Sequence, residues 1–371
     1  MRRPLRHGYT TGACAAAAAK GAALMLRDQR LVETIELALP AGITTTFALH
    51  SQRFDEHSAV CCVIKDAGDD PDVTNGCEVW AEVRLGKGDS PLKRGGLSPS
   101  VIIEGGLGIG RVTKPGLAVP VGEWAINPVP RRMITEAISS VFAGPQPPAP
   151  CHCLISIPDG EERARRTLNA RLGIIGGLSV LGTTGIVTPI SHQAWTDTID
   201  AALGVAKAAG CTRVVASTGR SSEQAAEKLL TLPEEAFILM GDHVGHLADA
   251  CARRGVKELM LAAQFAKLVK IACGHPQTHA AVVTLDLETV TGWAREAGLD
   301  AVLIERLEWA HTARELYLEL GARHPLMALV AARVIDRLRE WAPGVRCGVL
   351  LAGYAGESAV TFGELFEARK S

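Results

Sequence analysis

From Leu172 onward the chain repeats one texture, a short apolar run ending in glycine and then a segment with helical hydrophobic spacing. The runs Leu172–Gly177, Arg213–Gly219, Ala236–Gly241, Glu258–Ala263 and Arg346–Gly353 read as strands. Between them His192–Ala209, Ser222–Leu230, Val244–Arg254 and Pro325–Trp341 read as amphipathic helices. That alternation predicts a mainly parallel sheet with helices on both faces. Ligands of such sheets bind outside the carboxyl ends of the strands. Those ends carry Gly176-Gly177, Ser217-Thr218-Gly219, Gly241-Asp242 and Gly353-Tyr354, small residues that admit a ligand. Asp242 is a candidate for ribose hydroxyls, and plain turn chemistry is the competing account of any one loop.

The first part of the chain has a different character. Thr34–Leu39 and Ile43–Leu49 alternate as strands do, and Ala59–Ile64 and Glu78–Leu85 are further strands, which predicts a mixed sheet with few helices. Between the last two lies Lys65–Gly76, where Asp66, Asp69, Asp70 and Asp72 are interrupted by Gly68 and Pro71. Glycine and proline exclude a helix, so these acids stand on a turn at the end of a rigid element. They are either a solvated turn or an acid–base site. The calcium-loop template fails, because Asn75 and Ala81 stand where a glycine and a bidentate glutamate are needed.

Upstream, Thr10, Thr11 and Gly12 are N-cap candidates for a helix built on the tract Ala15–Ala19, with amides that could hold an anion. Glu104–Gly116 is glycine-rich but does not follow the dinucleotide spacing. Arg131 and Arg132 open an apolar helix over Met133–Phe142, and paired guanidinium groups can grip carboxylates. Gly144–Pro150 has the composition of a linker, the strand Cys151–Ile157 returns to the first domain, and Glu161–Arg171 is a basic connector. We therefore expect an α+β domain over 1–165 and an α/β domain over 166–371.

A net charge of -1 supplies no field for nucleic acid or an anionic membrane. The ten cysteines include the adjacent Cys61 and Cys62 inside an apolar run, which fits buried reduced thiols and a cytoplasmic protein better than a disulfide framework. The uncharged stretch Leu172–Thr196 is broken by too many glycines to be a membrane helix. His243, His246, His275 and His279 lack zinc-motif spacing, so no protein-bound metal is expected.

Taken together, several segments resemble the cobalt-precorrin-5B C1-methyltransferase (CbiD) family of the anaerobic cobalamin pathway. They are RHGYTTGACAAAAAK (6–20), KDAGDDPDVTNG (65–76), GIGRVTKPGL (108–117), VGEWAINPVPRRM (121–133), TLNARLGIIGGLSVLGTTGIV (167–187) and KLVKIACG (267–274). Ala13, Trp124, Gln264-Phe265 and His275–His279 depart from the family pattern. The resemblance implies a Rossmann-like second part and S-adenosylmethionine as methyl donor. The implied acceptor is a cobalt-bound tetrapyrrole, methylated at C1 to cobalt-precorrin-6A. On that basis Gly176, Gly177, Gly182, Thr183, Thr184, Gly185, Ser217, Thr218, Gly219, Gly241 and Asp242 are donor-site candidates, with Gly176–Gly185 nearest the methionine end. Thr10, Thr11, Lys114, Arg131, Arg132 and Arg6 are candidates for the macrocycle carboxylates, and Asp66, Asp69, Asp70 or His279 for a base. Aspartates that converged would raise one another's pKa. A tetrapyrrole carrier and a nicotinamide-dependent reductase of the same pathway are the rival readings, and a homo-oligomer is left open.

Overall fold

The computed structural model describes residues 5–86, 101–142, 150–354, 359–363 and 365. The protein divides into two compact units, Met1–Ser191 and His192–Ser371. The expected linker Gly144–Pro150 lies, except for Pro150, outside the described residues.

The first unit runs β1 (Gly8–Tyr9), α1 (Thr11–Asp28), β2 (Thr34–Ala38), β3 (Thr44–Ala48), β4 (His50–Phe54), β5 (Ser58–Ile64) and β6 (Glu78–Leu85). It continues with β7 (Val101–Gly105), β8 (Arg111–Val112), α2 (Pro128–Ser139), β9 (Cys151–Ser156), α3 (Gly160–Ala164), β10 (Ile174–Ile175) and β11 (Ile186–Val187). The main sheet has the order β4-β5-β6-β9-β7, antiparallel except for the parallel β7–β9 pair. Of the segments expected to build a mixed sheet, Ala59–Ile64 and Glu78–Leu85 do so, whereas Thr34–Ala38 and Thr44–Ala48 pair with each other in a separate two-stranded sheet. In β6, Val79, Ala81 and Val83 are buried while Glu78, Glu82 and Arg84 face outward, so one apolar face is available for a helix. That helix is α1, which packs on β5 and β6 and against α2. Ala15, Ala16, Ala17, Ala18 and Ala19 are all fully buried. Methyl side chains let α1 sit between sheet and helix without a thicker layer, and alanine keeps the helix favourable.

The second unit runs α4 (His192–Ala208), β12 (Arg213–Ser217), α5 (Arg220–Leu229), β13 (Phe237–Leu239), α6 (Val244–Arg254), β14 (Glu258–Ala263) and α7 (Phe265–Ala272). Then follow α8 (Leu287–Glu296), α9 (Ala301–Trp309), α10 (Ala313–Leu320), α11 (Pro325–Trp341), β15 (Arg346–Leu351) and β16 (Val360–Phe362). The sheet order is β13-β12-β14-β15-β16, parallel apart from β16. Val215, Met260 and Leu350 share a cluster with Ala226 of α5 on one face. Val214, Ala216, Leu259 and Leu261 pack on the other face with Leu247, Leu268 and Val334, from α6, α7 and α11. Register at the amino ends is pinned by charge, since Arg213 and Arg346 stand directly opposite Glu258 and both pair with its buried carboxylate.

One expected strand of that parallel sheet lies elsewhere. Only Ile174–Ile175 of Leu172–Gly177 is extended, and it pairs antiparallel with β8 in the first unit. Gly173 and Gly176, at φ +78° and +86°, end the strand on either side. Residues 166–191, which texture assigns to the second domain, thus pack with the first unit through β10–β8 and β11–β1. Among the described residues no helix is long and apolar enough to cross a membrane.

Backbone meets backbone where the glycine-rich segments converge. A Cβ on Gly108 would overlap the Ile157 carbonyl, and one on Gly160 or Gly177 would overlap the Gly108 carbonyl. Gly108 also sits at φ +73°. Gly108→Ala is therefore expected to destabilise the protein by about 3 kcal/mol or more, from left-handed strain plus the clash. Thermal unfolding of the variant checks this, and a wild-type midpoint would contradict it.

Candidate functional site

The aspartates of the Lys65–Gly76 turn are each bonded to a named partner within the unit, Asp66 and Asp69 at the surface. Asp66 receives both Arg6 guanidinium nitrogens, at 2.5 and 2.8 Å, and the Gly68 amide at 2.9 Å. Asp69 accepts from the Arg6 amide at 2.7 Å, and Asp70 from the Ile190 amide at 2.8 Å. Asp72 accepts from Lys65 and from both the amide and hydroxyl of Thr74, each of the latter at 2.7 Å. Lys65 is only 1% exposed, so its ammonium depends on Asp72 and on the Thr74 hydroxyl. The hydrogen bonds from Arg6 and Gly68 hold the Asp66 carboxyl below its ordinary range. Burial works against ionisation of Asp72, yet the charge and hydrogen bond of Lys65 and the bonds from Thr74 outweigh it and lower its pKa as well. The expectation that converging aspartates raise one another thus fails for Asp66, because opposite charges and donors, not carboxylates, are its nearest neighbours.

Substrate-binding candidates of this unit are likewise engaged. Thr10 caps α1 through the Ala13 amide at 3.2 Å, and Thr11 is buried. The Gly12 amide bonds the Leu181 carbonyl at 2.9 Å, so the amino end of α1 is closed by protein. Arg131 donates to the carbonyls of Ile126, Ile103 and Trp124 and stands 3.7 Å from Glu123. Arg132 is exposed, with Glu136 at 3.8 Å one turn on, and Lys114 donates to the Arg171 carbonyl at 3.3 Å. Trp124 lies under the Arg111 guanidinium at 4.0 Å.

The glycine loop 176–185 divides. Gly176 is exposed with open space around it, whereas Gly177 lies on Gly108 and a Cβ at Gly182 would overlap Thr10. Thr183 is exposed, Thr184 accepts from the Ile186 amide at 3.2 Å, and Gly185 backs onto Leu39.

In the second unit the expected loops do gather at the carboxyl end of the parallel strands. β12 lies between β13 and β14, and the chain passes from β12 to one neighbour before crossing to the other. Such a reversal opens a crevice between the diverging loops. At the end of β12, Ser217 is wholly buried and its hydroxyl has no partner among the described residues. Gly219 follows in extended backbone, with open space where a side chain would stand. Thr218 approaches Ser222 at 3.4 Å. After β13, Gly241 lies beneath the Trp195 ring, which is stacked on His243 at 6.2 Å. Asp242 takes Lys267 of α7 and the Thr278 hydroxyl, at 2.6 Å, on the same oxygen. Burial disfavours the Asp242 carboxylate, but the bonds from Lys267 and Thr278 prevail and hold its pKa down. His279 is exposed, and its Nδ1 accepts from the Ala281 amide at 3.2 Å, which leaves the ring proton of the neutral form on Nε2.

Sequence reasoning missed Lys267, Lys270, Thr278 and Trp195. Lys270 carried a signal, a lysine set between Val269 and Ile271 in an otherwise apolar helix face. Among the described residues no three His, Cys, Asp or Glu side chains converge as a metal-binding group.

Residues 1–189 match the CbiD family and residues 277–361 the CbiD C-terminal domain. A cobalt-precorrin-5B C(1)-methyltransferase of Geobacter metallireducens is 55% identical over 362 residues, covering 95% of this chain and 97% of that protein. One from Priestia megaterium is 44% identical, over 85% of this chain and 83% of its own length. A crystal structure of a cobalamin biosynthesis protein from Archaeoglobus fulgidus is 27% identical over 80% of this chain and 85% of that one, with a TM-score of 0.38.

Removing the Asp72 charge leaves the Lys65 ammonium buried without its counter-charge. Asp72→Asn is accordingly expected to lose about 3 kcal/mol in denaturant unfolding at pH 7. Because the folded pKa values of Asp66 and Asp72 are depressed, their contribution is complete above the unfolded value of about 4 and is lost as pH falls through the folded values. The wild-type acid limb of stability should therefore be steeper than that of Asp72→Asn, and equal slopes would contradict the pairing.

Proposed function

The chain belongs to the CbiD family, and on that premise we propose that it transfers a methyl group from S-adenosylmethionine to C1 of cobalt-precorrin-5B in cobalamin biosynthesis. The observation that carries this reading is the end-to-end match to methyltransferases of that name, 55% identical across 95% of the chain. Cobalt enters as part of the substrate.

The second unit is read as Rossmann-like, with the donor in the crevice between the loops after β12 and β14. Its reversal of strand order, the open space at Gly219 and the unsatisfied Ser217 hydroxyl support that placement. The macrocycle carbon supplies the electron pair of the new bond, and the sulfonium sulfur keeps the pair of the broken one, leaving S-adenosylhomocysteine. An in-line displacement of this kind gains most from alignment and exclusion of water. The aspartates of the Lys65–Gly76 turn then act as architecture, which their bonds to neighbouring segments favour. His279 serves better as a donor than as a base while Nδ1 is occupied. Operation in the cytoplasm fits ten unpaired cysteines, most of them buried.

Calorimetric titration separates this reading from a carrier or a reductase. The protein is expected to bind S-adenosylhomocysteine and to give no heat with NADPH; the reverse pattern, or no binding of either, would sink the assignment. A general base contributes on the order of 10²–10⁴-fold to rate. Asp69→Asn and Asp70→Asn are expected to lose less than about tenfold in turnover. A hundredfold loss with donor binding intact would instead mark a base.

A further inference from the structure

Lys270 carries a charge that its surroundings do not balance. Its residue is 9% exposed, and among the described residues its Nζ bonds only the Thr278 carbonyl, at 3.2 Å. Lys267, one turn earlier on α7, bonds that same carbonyl at 3.2 Å and pairs with Asp242. Two ammonium groups thus share one carbonyl oxygen, and the one carboxylate bonded there is taken by Lys267, in a place where a surplus charge is costly. Burial and the neighbouring Lys267 both push the Lys270 pKa down, consistent with a cation short of counter-charge.

The position is not arbitrary. Asp242 follows β13 and Lys267 follows β14, the two neighbours of β12, so their pair lies at the carboxyl end of the parallel sheet. Lys267 and Asp242 remain partly exposed, at 29% and 22% of their side chains, while Lys270 is more deeply buried. Thr278 is wholly buried, and its loop is tied to α6 by the Gly245 amide on the Pro276 carbonyl at 2.9 Å. The lysines are therefore held in place before any ligand arrives, which reduces the entropy lost on binding.

We propose that Lys267 and Lys270 form a carboxylate-binding site for the ligands of the reaction. The reading rests on the methyl-transfer assignment above. Both ligands carry the required group, the donor on its amino-acid end and the macrocycle on its acetate and propionate arms. A carboxylate placed there neutralises the surplus cation and gains charge-assisted hydrogen bonds. Asp242, with Oδ2 accepting no bond from the described residues, would also meet the ammonium of an amino-acid end.

The test uses the full-length protein and its Lys270→Met variant, titrated with S-adenosylhomocysteine, with 5′-methylthioadenosine, which lacks the amino-acid end, and with cobalt-precorrin-5B. If the donor carboxylate sits on the lysines, the variant loses about tenfold or more in affinity for S-adenosylhomocysteine and none for methylthioadenosine. If the macrocycle supplies the carboxylate, both nucleosides bind as before and cobalt-precorrin-5B weakens by a similar factor. Unchanged affinity for all three overturns the proposal, as does an equal loss for both nucleosides, which marks a structural role only. Wild-type protein that binds cobalt-precorrin-5B and neither nucleoside would refute the donor assignment and leave the macrocycle arm to decide the site. Thermal unfolding guards the comparison, since replacing a buried unbalanced charge by an apolar chain of similar length is expected not to lower the midpoint.

Discussion

Where Gly108 meets Gly160 and Gly177, three chain segments approach so closely that no Cβ fits at any of them. Around that point β8 pairs with β10, and Ile109 and Ile126 bridge to Leu178 and Val180. A second convergence ties the amino-terminal segment to the acidic turn, with the Tyr9 amide on the Asp66 carbonyl and the Asp69 amide on the Arg6 carbonyl. The segments that carry the family resemblance in the first unit are thus the segments that touch one another. Their glycines and aspartates permit or satisfy backbone contact at close range, and backbone groups buried there need partners as much as any side chain does.

This explains which parts of the molecule were legible in the sequence. Apolar pattern located β2, β3, β5, β6, β9, β12 to β15, α4, α6 and α11 closely, because the helices and the outer strands repeat one apolar face and the central parallel strands are continuous apolar runs. It misplaced Leu172–Gly177, whose apolar run has the composition of a buried strand while Gly173 and Gly176 limit it to two extended residues. Local pattern does not say which sheet a short run joins, since that depends on contacts with Arg111 and Val112 far away in the chain. The acids at 66–72 and the arginines at 131 and 132 have the residue types of a site, yet Asp66 is matched by Arg6 and Arg131 by three carbonyls. Pairing over sixty residues, as between Arg6 and Asp66, leaves no trace in the spacing of either segment.

In the second unit the opposite holds. Loops of small residues read from the sequence at 217–219 and 241–242 do stand at the carboxyl end of the parallel strands, and Gly219 keeps its open space. The polar groups there are less completely matched than those of the first unit. Ser217 lacks a partner among the described residues, and Lys267 and Lys270 share the Thr278 carbonyl while only Lys267 bonds Asp242. Buried polar groups left short of partners cost stability, and the ligand proposed for the carboxyl end of the parallel sheet would supply the partners they lack. The proposed methyl transfer from a charged sulfonium would ask little acid–base chemistry of the protein and would depend instead on rigid placement of two substrates.

The most direct measurement is incubation of the purified protein with cobalt-precorrin-5B and S-adenosylmethionine labelled with carbon-13 in the methyl group. Carbon NMR of the product should show a single enriched methyl attached at C1, with one S-adenosylhomocysteine released for each macrocycle methylated. Enrichment at another carbon, or an unmodified macrocycle recovered from protein that binds both ligands, would contradict the account.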